Sequence, residues 1–185
     1  MGNYIGKSVK RVEDPRFIQG KGNYVANLSM PDMAHVAILR SPHAHANIKS
    51  INTDSAKAME GVIDVFVGQD LIDSGVGQMP VIWQVPENKI PVRWPLTPDK
   101  VRHVGDSVAA VVAEDAYIAR DALDLIEVDY EVLPATTGAE ATTEDGKPLV
   151  HDEIENNITF KWGLGDKEAC DKAFEEADHV IEVDI

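Results

Sequence analysis

The sequence predicts a soluble α+β domain built from two strand, helix, strand units. Three observations lead there. The run SVAAVVA at 107–113 carries no charged residue, as a buried strand requires. Behind it, Ala119, Ala122, Leu123 and Ile126 share one face of a helix that Asp115 is placed to cap. The period then drops from 3.6 to 2: Val128, Tyr130 and Val132 alternate with Glu127, Asp129 and Glu131, the mark of a half-buried strand.

The remaining elements are read in chain order. The first 32 residues contain VEDPRF, GKGNY and NLSMPD, which predict extended chain and turns. MAHVAILR at 33–40, bounded by Pro31 and by Ser41-Pro42, predicts a buried strand. NIKSIN predicts a second, short strand. Thr53 or Asp54 can cap a helix running to Met59, and Gly61 ends it before the strand VIDVFVG. Pro80, Pro86, Pro91, Pro95 and Pro98 remove backbone donors at short intervals, so an irregular excursion is expected between about 70 and 100. After Pro134 comes a polar connector. Asp166 then opens a helix with Ala169, Ala173, Phe174 and Ala177 inward, and HVIEVDI begins a strand with Ile181, Val183 and Ile185 on one face. An alternating strand at the end of the sequence has no partner in it, so continuation of the natural polypeptide is expected.

Composition narrows the function classes. Apolar residues make up 44% and charged residues 26% of the 185 positions, as in soluble globular proteins. The formal charge of -15 opposes nucleic acid or an anionic membrane as partner. Cys170 has no second cysteine to pair with, and no apolar run approaches the roughly 20 residues of a membrane span. A cytoplasmic, reducing compartment is expected.

Short motifs offer little chemistry. GNYIGKS at 2–8 has three residues between its glycines where a phosphate-cradling loop has four, and it follows no strand. Myristoylation after Gly2 would call for Ser or Thr where Gly6 stands. NLS at 27–29 and NIT at 157–159 match the glycosylation acceptor pattern without a secretory leader. His43 and His45 share the i, i+2 spacing that lets a strand grip one ion. The other histidines, His35, His103, His151 and His179, are scattered, and Pro42 puts His43 in a turn. A structural or interface role is expected for both. Glu127, Asp129 and Glu131 read as a solvated strand face, and the acidic neighbours of Cys170 disfavour its thiolate.

Taken together, the segments YIGKSVKRVEDPRFIQGKGNYV, MAHVAILRSPHAHANIKSINT, GVIDVFVGQDL, KVRHVGDSVAAVVAEDAYIARDALDLIEVDYEVLPA, PLVHDE and GDKEACDKAFEEADHVIE resemble, in order, the start of molybdenum hydroxylase large subunits. That family comprises xanthine dehydrogenase, aldehyde oxidase and aerobic-type carbon monoxide dehydrogenase. The likeness is greatest to the separate large subunit of the carbon monoxide dehydrogenase type. It departs at Asn27, where the family usually has an acidic residue, and at Asp32, where it often has glycine.

The resemblance implies an extended segment at 1–15, an α/β-hammerhead domain at 16–135, a connector at 136–165 and the start of the molybdopterin-binding domain at 166–185. It implies that SPHAHA is a strand-junction signature in which neither His43 nor His45 binds metal. It further implies hydroxylation of an electron-poor carbon, or oxidation of CO, at a molybdenum-pterin centre in the complete subunit. The resemblance also implies iron-sulfur clusters and FAD on partner subunits of a hetero-oligomer. The catalytic glutamate and the pterin-holding residues belong downstream, so no catalytic, cofactor-binding or metal-binding residue is expected in these 185 positions. Two other readings are a free-standing hammerhead binding or assembly module and the small subunit of a split enzyme.

Overall fold

A computed structural model describes residues 4–183. Its frame is two three-stranded sheets made from β1 (His35–Arg40), β2 (Ala46–Asn52), β3 (Val62–Val67), β4 (Lys100–Val101), β5 (Ser107–Ala113) and β6 (Glu127–Val132). The first sheet has the order β1-β5-β3 and the second β4-β2-β6, with every pairing antiparallel. The helices are α1 (Asp14–Ile18), α2 (Asp54–Lys57), α3 (Gly68–Asp73), α4 (Ala116–Leu123), α5 (Ala139–Thr142) and α6 (Lys167–Glu175).

Both expected strand, helix, strand units are present, β2-α2-β3 and β5-α4-β6, but neither forms a sheet of its own. Each sends one strand to each sheet. β2 pairs with β6 in the second sheet while β3 pairs with β5 in the first, so the two units clasp one another. Local periodicity reports which residues form strands but not which strands meet, and so this interlock was not legible in the sequence.

β5 is central, and its lack of charge follows from burial on both sides. Ala109, Val111 and Ala113 join Ala56, Val65, Ala119, Ala122 and Ile126 in the larger core. Val108, pointing the other way, packs with Ala46 and Val101. Burying a valine of this kind contributes about 1.5–3 kcal/mol. α4 lies across β1 and β5, capped as expected by Asp115, whose Oδ1 accepts from the amides of Tyr117 (2.7 Å) and Ile118 (3.4 Å). Ile126 is buried as expected, although it lies beyond the end of the helix.

Several expectations need correction. β1 is an edge strand, with Val36 62% exposed, because only β5 pairs with it. Thr53 occupies the N-cap of α2 as expected but makes no side-chain cap bond; the Asn52 side chain accepts from the Asp54 amide at 3.1 Å and holds that helix start. The proline-rich excursion is irregular from about 74 to 99, but α3 precedes it. There Asp70 accepts from the Val67 amide at 2.8 Å. Gly68 is required by the returning chain, since a Cβ would stand 2.7 Å from the Leu96 carbonyl oxygen. Val132 is 64% exposed at the end of β6, although Val128 and Tyr130 of its face are half-buried.

At the start, α1 interrupts the expected extended chain. Pro15 suits a first helical turn, and Arg11 and Arg16 flank the Phe17 ring at 5.8 and 5.1 Å. Of the GNYIGKS motif, Gly2 and Asn3 lie outside the described residues, and the rest forms a turn and coil. At the other end α6 forms with its Asp166 cap, accepting from the Ala169 amide at 2.9 Å. Its expected inward face is nevertheless exposed, Phe174 by 65%, and residues 179–183 form no strand. Among the described residues no element packs there, and a strand without a neighbour has no ladder to join. Ile185 of that expected strand lies outside the described residues.

Candidate functional site

The segment Ser41 to His45 carries the chain from the first sheet to the second, and its side chains fasten three parts of the fold. Ser41 is buried, and its amide donates to the Asp106 carbonyl while its own carbonyl accepts from the Gly105 amide, both at 2.8 Å. Its hydroxyl donates to the His43 carbonyl (2.9 Å) and accepts from the His43 amide (3.0 Å), shaping the turn that Pro42 begins.

The two histidines then part. The His43 ring meets Tyr130 of β6 edge-on, 4.9 Å between centroids. His45 is 8% exposed, and its Nδ1 donates to the Pro134 carbonyl at 2.8 Å, just past β6. A carbonyl can only accept, so this bond places the proton on Nδ1 and leaves the buried Nε2 without a partner. Burial lifts the Tyr130 hydroxyl above its ordinary range; a hydrogen bond with Ser41 works against this and the Asp106 carboxylate adds to it. Among the described residues no group of three or more His, Cys, Asp or Glu side chains is placed to hold a metal ion.

The turn that Ser41 grips opens on a cleft of about 390 Å³ between the proline-rich excursion and the connector, lined by Arg40, Arg93, Trp94, Arg102, Asp106 and His151 among others. Asp106 organises the turn: it accepts from the Thr97 hydroxyl (3.0 Å) and from the Arg102 amide (3.1 Å). Burial, followed by the charges of Arg102 and Arg93, holds the His151 imidazole below its ordinary range, against the pull of Glu153 and Asp152. Lys100 bonds Asp152 at 2.7 Å and keeps that carboxylate below its usual range. Sequence reasoning missed this cleft, because its three arginines come from separate stretches of chain and carry no spacing signal.

The other candidates stand apart. Cys170 is exposed on α6. Glu127, Asp129 and Glu131 form the solvated face of β6, where Glu131 accepts from Asn47 at 2.9 Å and meets Lys49 at 2.7 Å; the Asn47 bond and then Lys49 lower its pKa. Asn157 of the NIT motif is committed to the connector. Its Nδ2 donates to the Thr142 and Pro148 carbonyls, both at 3.0 Å, and its Oδ1 accepts from the Val150 amide at 2.8 Å.

Residues 19–134 match the family described as aldehyde oxidase and xanthine dehydrogenase, a/b hammerhead domain. The chain is 40% identical, over 95% of its length, to the carbon monoxide dehydrogenase large chain of Afipia carboxidovorans. It is 33% identical, over 96%, to the 6-hydroxypseudooxynicotine dehydrogenase complex subunit gamma of Paenarthrobacter nicotinovorans. It spans 22% of the length of each. Among solved structures, a Cu,Mo-CO dehydrogenase superposes with a TM-score of 0.74 at 40% identity, covering 94% of this chain and 23% of that one. The expected resemblance is thereby met, and the chain belongs to the aldehyde oxidase and xanthine dehydrogenase hammerhead family.

Proposed function

We propose that this chain is the N-terminal hammerhead part of the large subunit of a molybdenum-dependent hydroxylase or dehydrogenase of the carbon monoxide dehydrogenase type. Its own task is structural, supporting the redox domain and contributing to subunit contacts. The observation that carries this reading is the alignment of nearly the whole chain with under a quarter of a Cu,Mo-CO dehydrogenase chain of the same fold. Exposed apolar side chains point the same way: Ile82, Trp83, Trp162, Leu164 and Phe174 lie open to solvent, a surface that a larger subunit would cover.

Within this reading, 1–15 is a lead-in segment, 16–135 the hammerhead domain, 136–165 a connector and 166–185 the first part of the cofactor domain. The donor set of the chain does not fit a molybdenum cofactor. Among the described residues no group of three or more His, Cys, Asp or Glu side chains is placed to hold a metal ion, and the one thiol, Cys170, is exposed on α6. We assign it no catalytic residue, no pterin contact and no metal ligand. The molybdopterin belongs to the remainder of the subunit, and iron-sulfur clusters and FAD to partner subunits of a hetero-oligomer. No helix among the described residues is long and apolar enough to cross a membrane. The lone unpaired cysteine supports a cytoplasmic setting.

The test is metal analysis and dye-linked oxidation assays on the purified 185-residue chain. No bound molybdenum and no turnover of CO, aldehydes or purines are expected. Stoichiometric molybdenum in the isolated chain would overturn the assignment.

A further inference from the structure

The cleft beside the Ser41 turn is cationic in a protein whose formal charge is -15. Arg40, Arg93 and Arg102 all line it, yet among the described residues none of the three forms an ion pair. This is unexpected in a chain with 32 acidic residues, for which a carboxylate partner is the ordinary outcome. Arg40 donates instead to the Gly105 carbonyl (2.9 Å) and the Ser107 hydroxyl (3.4 Å), and Arg102 Nη1 to the Lys100 carbonyl (2.8 Å). All three acceptors are uncharged. The Arg93 side chain makes no hydrogen bond at all among the described residues.

Two buried polar atoms in this cleft are unsatisfied: Nε of Arg102 and Nδ1 of His151. Glu153 stands 3.8 Å from the latter, beyond hydrogen-bond reach. Asp106, the acidic residue lining the cleft, is already engaged by Thr97 and by the Arg102 amide, with His103 Nδ1 at 3.7 Å. A buried guanidinium N–H without an acceptor is destabilising, and a ligand oxygen removes that penalty. The guanidinium fork fits two oxygens of one carboxylate or phosphate.

We propose that this cleft is an oxyanion-binding site, holding a carboxylate or phosphate group between Arg93 and Arg102 beside His151, with Arg40 at its edge. The inference stands on the cleft alone and does not depend on the redox assignment. One chemistry serves two sources: a carboxylate presented by another stretch of polypeptide, and a phosphate carried by a small molecule.

The test is a titration of the 185-residue chain with sodium phosphate and, separately, sodium acetate at constant ionic strength, following the His151 imidazole resonances by NMR. A saturable shift is expected, weakened about tenfold in Arg93→Ala, the loss of one charged hydrogen-bonding partner. Arg93 is exposed and bonds nothing through its side chain, so that variant keeps the fold; its thermal melt checks this. Arg102→Lys, which keeps the charge but loses the fork, is expected to weaken binding as well. Tighter phosphate than acetate supports a phosphorylated small molecule, and comparable affinities support a polypeptide carboxylate. A shift that only drifts linearly with salt, or saturation unchanged in Arg93→Ala, would overturn the proposal.

Discussion

His45 and Pro134, 89 residues apart in sequence, are joined by a hydrogen bond of 2.8 Å from the imidazole Nδ1 to the proline carbonyl. The bond closes the seam where β2 begins and β6 ends. His45→Ala therefore removes a buried ring and strands the Pro134 carbonyl, at a cost of about 2–3 kcal/mol. His45→Asn, whose Nδ2 can donate from nearly the Nδ1 position, should recover part of the loss. Urea unfolding of the three proteins measures this. Equal midpoints for parent and alanine variant would show that the bond is not formed.

Gly61 and Ile118 also meet between the two strand, helix, strand units. Gly61 has φ +85°, and a Cβ there would lie 2.7 Å from Ile118 Cδ1. Gly61→Ala should cost about 1–2 kcal/mol for the left-handed backbone, with a further penalty for moving Ile118. Gly20, with φ +68° and open space around it, supplies the control, since Gly20→Ala meets the backbone penalty alone. Ile118→Val should relieve Gly61→Ala by about 0.5–1 kcal/mol in a double-mutant cycle. Additive effects would place the two residues out of contact.

The pH dependence of stability follows from His151. Its folded pKa lies below the ordinary 6.5 because of burial and the neighbouring arginines. As pH falls, the unfolded chain therefore takes up the proton first. The His151 contribution is fully present above 6.5, is lost as pH falls through 6.5, and levels off below the folded value. His151→Gln should flatten that part of the profile between about pH 7.5 and pH 5. An unchanged slope would mean that His151 is as solvated in the folded chain as in the unfolded one.

Asn157 predicts a local effect. Its side chain bonds Thr142, Pro148 and Val150, holding the connector in place. Asn157→Ala should speed proteolytic cleavage between 136 and 165 while leaving the two-sheet frame intact. Cleavage that still requires global unfolding would contradict this.

What the sequence revealed, and what it did not, has a physical pattern. The charge-free β5, the Asp115 cap and the alternation of β6 were readable because burial imposes local periodicity. The clasp of the two units was not, since β2 with β6 and β3 with β5 are pairings between distant segments. The role of SPHAHA as a sheet-to-sheet joint came from the resemblance; the residues alone left a metal pair open. The arginine cleft and the Asn157 anchor were invisible for a related reason: isolated polar residues acquire meaning only through neighbours that folding supplies. The apolar face of α6 was read correctly as apolar but wrongly as inward, and 179–183 was read as a strand that does not form.

The central claim is that this hammerhead frame serves a larger redox subunit. The most direct measurement is the mass of the native polypeptide in source cells, by immunoblot with an antibody against this chain, with molybdenum assayed in the immunoprecipitate. A band several times larger than 20.2 kDa, accompanied by molybdenum, is expected. A native band at 20.2 kDa from which no molybdenum or partner subunit can be recovered would contradict it.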